Sequence, residues 1–162
     1  MKVNFSNLKR FELYGLAAAV LLVISLFLPW FNLTDTPERV NQKAWVCGTK
    51  DFHCTGWETF PIARWLYLAA AAAPILLAYF IVTQQRGQYP TGEFTMTVGL
   101  AVIVLVGFNG LIQKPGGGEI FGVSLTYGYF LAILAGVGLA VAGALRSLES
   151  GGGAQRKPPA TF

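Results

Sequence analysis

The chain's only two cysteines, its only histidine and two of its four tryptophans fall between Trp45 and Trp57. Thiols beside an imidazole could do redox or metal chemistry, so their spacing has to be weighed first. Thiol exchange needs a Cys-x-x-Cys pair with a lowered thiol pKa, and a membrane relay adds a second pair. Six residues separate Cys47 from Cys54, and the chain has no second pair. A structural disulfide fits better: Gly48 eases the turn, and a loop this short gains roughly 2–3 kcal/mol from closure. Zinc could take Cys47, His53 and Cys54, but no fourth ligand stands at matching spacing, and a disulfide would consume both thiols. No metal or cofactor is expected, and His53 reads as a solvated loop residue. The acids Asp35, Glu38, Asp51 and Glu58 show no spacing that singles out an acid–base pair. Asn32-Leu33-Thr34 fits a glycosylation sequon, and the glycines at 116–118, which follow no strand, read as a turn.

The elements that must position this loop are apolar runs: Leu13 to Phe31, Ile62 to Val82, Phe94 to Ile112 and Ile120 to Leu145. Each has about the 20 residues needed to cross a hydrocarbon core of roughly 30 Å. The composition agrees, with 54% hydrophobic residues, 12% charged residues and a mean hydropathy of +0.51. The first run is too long for a signal-peptide core, and Leu28-Pro29-Trp30-Phe31 is a poor cleavage site, so it reads as a retained span. Four spans put both termini and the linker 83–93 on one side. That side carries seven Lys and Arg against three acids, and the other five against five. The positive-inside rule therefore favours cytoplasmic termini, as does a disulfide-bearing loop outside. The net charge of +4 is a signal of orientation, not of nucleic-acid binding.

Within this frame, residues 1–12 fit either a short interfacial helix or a frayed basic tail. Trp30, Arg64, Trp65 and Tyr67 are expected to anchor the outer interface, where an indole or phenol buries its ring and keeps its polar edge wet. Residues 32–61 form the outer loop, which holds enough large side chains to fold as a cap. Ala69 to Ala73 offer a smooth helix face. Pro74, expected to kink span two, and Asn109 could border a pocket between helices. Ser25, Thr97 and Asn109 are the span residues able to hydrogen-bond across helix interfaces. Gly128, Ala132, Gly136, Ala140 and Ala144 recur every four residues, a small-residue packing stripe. Residues 149–162 read as a disordered tail. No Asp, Glu, Lys or His stands at mid-depth in any run, which removes support for proton-coupled transport and intramembrane proteolysis.

Leu28-Pro29-Trp30-Phe31 at the end of span one and Gly56-Trp57-Glu58 just before span two resemble a pattern in four-span membrane proteins of high-GC, actinobacterial-type bacteria. That resemblance covers most of the chain and implies a fold without an activity. Trp30, Trp45, Cys47 and Cys54 are also similar in order to the first loop of claudin-type tetraspans. Here Gly-Leu-Trp is absent and the cysteine spacing is short, so the likeness is one of architecture.

The expectation is therefore an all-α integral membrane protein: a four-transmembrane-helix bundle, residues 1–148, with a disulfide-pinned extracytoplasmic loop between helices 1 and 2. Its expected role is non-enzymatic, an accessory or scaffolding subunit in the cell membrane. Its partners would be membrane lipids and other membrane proteins. The alternative is a binder of a lipid or other apolar molecule within the bundle.

Overall fold

The computed structural model describes residues 10–34, 53–82, 91–113 and 122–151. In chain order these form α1 (Arg10–Phe27), β1 (Pro29–Thr34), β2 (His53–Thr55), α2 (Gly56–Thr59), α3 (Ala63–Val82), α4 (Thr91–Leu111), β3 (Gly122–Leu125) and α5 (Tyr127–Gly151). The chain is mostly helical, and α1, α4 and α5 are long and apolar enough to cross a membrane. Helix α3 is apolar over Ala63–Tyr79.

The four long helices run alternately up and down. α5 packs most extensively on α4, then on α1, while α3 lies against α1 and α4. Small residues set the closest approach. A β-carbon added to Gly99 would stand 2.3 Å from the Ala140 amide nitrogen, and one on Gly143 would stand 2.2 Å from that of Met96. Gly136 meets Ile103 and Val102 in the same seam. Inside lie Leu22, Leu26, Val102, Val106, Ala132, Ala135 and Leu139, all fully buried. Outside, Leu13, Val20, Ile24, Leu100, Val104, Phe108 and Leu134 are exposed. So much continuous apolar surface is stable only in an apolar solvent, which marks a membrane protein.

One end of the helices is closed by a three-stranded antiparallel sheet in the order β2-β1-β3. Phe31 pairs with both Cys54 of β2 and Leu125 of β3, so the strand after α1 is central. This corrects two expected boundaries and the all-α class. The first apolar run stops being helical at Phe27, not Phe31, and the fourth starts its helix at Tyr127, not Ile120. The cause at the first is Pro29, which pushes the preceding residue out of the helical region; Leu28 N closes the last turn on Ser25 O at 3.2 Å. At the fourth, residues 122–125 are drawn into pairing with β1. Helices α3 and α4 begin and end within a few residues of the second and third apolar runs. Cys47, Trp45 and most of the expected tail lie outside the described residues, although 149–151 are the end of α5.

Candidate functional site: the cap and its aromatic seat

Trp30 stands where β1 departs from regular pairing, at a register shift between Pro29 and Phe31. The bulge turns its indole down into the helices, where it is fully buried. Its Nε1–H donates to Ser25 O at 2.7 Å, which meets the requirement that a buried indole nitrogen find an acceptor. Phe60, Tyr67 and Tyr129 surround the ring at centroid distances of 6.0, 5.8 and 6.0 Å. Two glycines make room. A β-carbon on Gly56 would fall 2.6 Å from Trp30 Cε2, and one on Gly128 would fall 2.9 Å from Trp30 Cδ1. Backbone bonds complete the join: Thr126 N donates to Trp30 O at 2.9 Å, and the Thr126 hydroxyl donates to Pro29 O.

Beneath the indole, Asn109 Nδ2 donates to the Tyr67 hydroxyl at 2.9 Å, joining α4 to α3. Tyr129 lies over Gly110, whose missing β-carbon would stand 2.0 Å from Tyr129 Cε2. The seat thus draws on every long helix as well as β1 and α2.

Beside the seat is a cationic aromatic ledge. Helix α2 is held by a capping pair: Glu58 N donates to Thr55 Oγ1 at 3.3 Å, and Thr55 Oγ1 donates to Glu58 Oε2 at 2.9 Å. This presents Trp57, which stacks on Phe27 at 5.3 Å and lies 6.2 Å from Trp65. The Arg64 guanidinium carbon sits 4.9 Å from the Trp57 ring centre and 5.6 Å from that of Trp65. Arg64 Nε is buried and has no hydrogen-bond partner. Phe27, Ile62, Trp65 and Leu66 are exposed.

At the opposite end, Arg146 Nη1 of α5 lies 3.6 Å from Glu12 Oε1 of α1, with side chains 21% and 10% exposed. The pair borders a cavity of about 20 Å3 together with Gly15, Pro74 and Thr95, room for about one water molecule. Among the described residues no group of three or more His, Cys, Asp and Glu is placed to hold a metal.

The expected site residues separate accordingly. Of the four interface anchors, Trp65 is exposed and Arg64 half-buried. Trp30 and Tyr67 are instead core residues, because the sheet lies over them and helix groups, Ser25 O for the indole and Asn109 Nδ2 for the phenol, make the polar contacts that water would have made. Among the described residues, Pro74 and Asn109 are not brought to one cavity. Pro74 borders the small cavity at the end away from the cap, whereas Asn109 is bonded to Tyr67 beneath it. The stripe does not form one continuous helix-facing surface. Gly128 faces the cap, and Gly136 and Ala140 face α4; Ala132 is fully buried and Ala144 half-buried. Ser25 and Thr97 bond within their own helices, to Leu22 O and Glu93 O, so only Asn109 bridges as expected. Tyr129, Phe60, Thr95 and the Glu12–Arg146 pair were not anticipated. Glu12 could have been: its acid and Arg146 stand at the same end of two apolar runs.

No family model, curated protein or solved structure matches the chain.

Proposed function

We propose that the chain is a non-enzymatic, four-span membrane protein whose helices carry a disulfide-pinned extracytoplasmic cap. In this reading it serves as an accessory or scaffolding subunit for other membrane proteins of the cell envelope. The observation that carries the reading is the use made of the interior polar groups. Trp30 with Ser25 ties β1 to α1, Asn109 with Tyr67 ties α4 to α3, and Glu12 with Arg146 ties α1 to α5. Each is committed to holding one element against another. A protein built in this way offers a shaped, rigid surface.

In this reading α3, 20 residues long, is the fourth crossing, and the lysine and arginine balance supports cytoplasmic termini. Two facts support pairing of Cys54 with Cys47. Cys54 is fully buried on β2, and no described cysteine is a free thiol. The lipid-carrier alternative is weakened because, among the described residues, the cavity that Pro74 borders does not include Asn109.

The test is purification of tagged protein from native membranes in mild detergent, followed by mass spectrometry. A stoichiometric membrane-protein partner is expected. Recovery only as a free monomer would overturn the accessory role.

A further inference from the structure

We propose that Arg64 binds the phosphate of a membrane phospholipid, in a site formed by Trp57, Trp65 and the exposed apolar residues beside them. The inference rests on the membrane-spanning reading above and not on the accessory role.

Three observations converge on it. First, the guanidinium is fixed. It lies 4.9 Å and 5.6 Å from two indole ring centres, a cation–π arrangement that holds the plane of the fork without neutralising its charge. Second, the charge is unmet among the described residues. No carboxylate pairs with Arg64 among the described residues, and its Nε is buried without a hydrogen-bond partner. Glu58, the acid of the adjoining helix, is bonded to Thr55. Arg64 also lies in the first turn of the 20-residue α3, where the helix dipole adds to the positive potential. An arginine in this state favours an anion with two oxygens in one plane, and phosphate matches its fork.

The third observation selects a lipid over a free anion. Trp65 and Phe27, 60% and 59% exposed, adjoin the cation: the Trp65 ring lies 5.6 Å from the guanidinium carbon, and Phe27 is stacked directly on Trp57. A ligand covering the whole patch needs an anionic head and an apolar body. Indoles are enriched at the depth where glycerol and phosphate meet the acyl chains, which puts the fixed charge level with lipid phosphates. Inorganic phosphate or a nucleotide would leave the apolar part uncovered.

The experiment is native mass spectrometry of the full chain, released from detergent with phosphatidylglycerol. Diacylglycerol, which lacks the phosphate, and inorganic phosphate serve as the two comparison ligands. The wild type should retain phosphatidylglycerol and not diacylglycerol, and millimolar inorganic phosphate should not displace the lipid. Arg64→Gln should weaken retention about tenfold or more, the loss expected for charge-assisted hydrogen bonds. Arg64→Lys, which keeps the charge without the fork, should fall between. Trp65→Leu, at the exposed edge, should weaken retention with an unchanged melting temperature. Equal retention by wild type and Arg64→Gln would overturn the proposal. So would equal retention of diacylglycerol, displacement by inorganic phosphate, or Arg64-dependent capture of a protein in place of lipid. Should Arg64→Gln fail to fold, the comparison of Arg64→Lys and Trp65→Leu with wild type decides the question. The partner purification is a separate readout, so either proposal can fail alone.

Discussion

Gly56 lies against the face of Trp30, so closely that a β-carbon there would stand 2.6 Å from Cε2 and 2.8 Å from Nε1 of the indole. The glycine of one short motif is therefore the space occupied by the tryptophan of another, 26 residues earlier in the chain. This contact seats β1 on α2 and fixes the cap to the helices. It also gives Leu28-Pro29-Trp30-Phe31 and Gly56-Trp57-Glu58 a common physical purpose.

Gly56→Ala should consequently be far more damaging than its size suggests. The indole cannot retreat, because Gly128 lies on its Cδ1 side, so close that a β-carbon there would stand 2.9 Å away, and Nε1 is bonded to Ser25 O. Overpacking of this kind costs about 1–3 kcal/mol. A thermal melt in mild detergent should show a lowered midpoint, accompanied by a shift in tryptophan emission as Trp30 leaves its dry site. An unchanged melt and spectrum would mean that the cap is not held through this contact.

Glycines within α4 offer an internal comparison. Gly99 stands against the Ala140 backbone, with a hypothetical β-carbon at 2.3 Å from its nitrogen, whereas Gly107 has no neighbouring atom within 4 Å of that position. Gly99→Val should separate α4 from α5 and destabilise by about 1–3 kcal/mol or more, since backbone cannot move aside as a side chain can. Gly107→Ala should be neutral or stabilising by up to about 1 kcal/mol, the helix propensity it gains. Paired melting curves of the two variants check the seam directly. Equal losses at both positions would contradict it.

How legible this fold was depends on length scale. Helix existence was readable because the apolar runs are long, and length alone requires no knowledge of neighbours. The sheet was not readable, because β1 and β3 are built from the same apolar residues as the helices they adjoin. Trp30, Phe31 and Leu33 in one strand, and Val123 and Leu125 in the other, continue the hydrophobic runs without a break in composition. Only Pro29 marked the first boundary, through its effect on Leu28. The pairing itself joins Asn32 to Ser124, a relationship no local pattern contains. The same reason explains Trp30 and Tyr67. Each is a residue type suited to the headgroup layer, but the sheet, invisible locally, covers the end of the bundle and takes them into the core. The packing stripe was found for its four-residue period, yet its faces divide between cap and α4 because an α-helix turns past a four-residue repeat.

Asn109 and Thr97 lie on the same helix and test what a polar group does inside it. Asn109 is 4% exposed and crosses to Tyr67 Oη at 2.9 Å, so Asn109→Leu removes a bond between α4 and α3 and leaves the buried phenol without that donor. Interhelical hydrogen bonds in membranes are worth about 0.6 kcal/mol on average and up to about 1.7. The upper part of that range applies here because Tyr67 is fully buried and cannot turn to water. Thr97, by contrast, donates to Glu93 O one turn earlier in its own helix at 2.9 Å and is exposed. Thr97→Val should therefore change stability by less than about 0.5 kcal/mol, as expected for an outward position that ties nothing together. Unfolding in the same detergent, followed by circular dichroism, separates the two. If Thr97→Val costs as much as Asn109→Leu, the α3–α4 contact is not held by the Asn109–Tyr67 pair, and the cap would have to be supported through α1 and α5 alone.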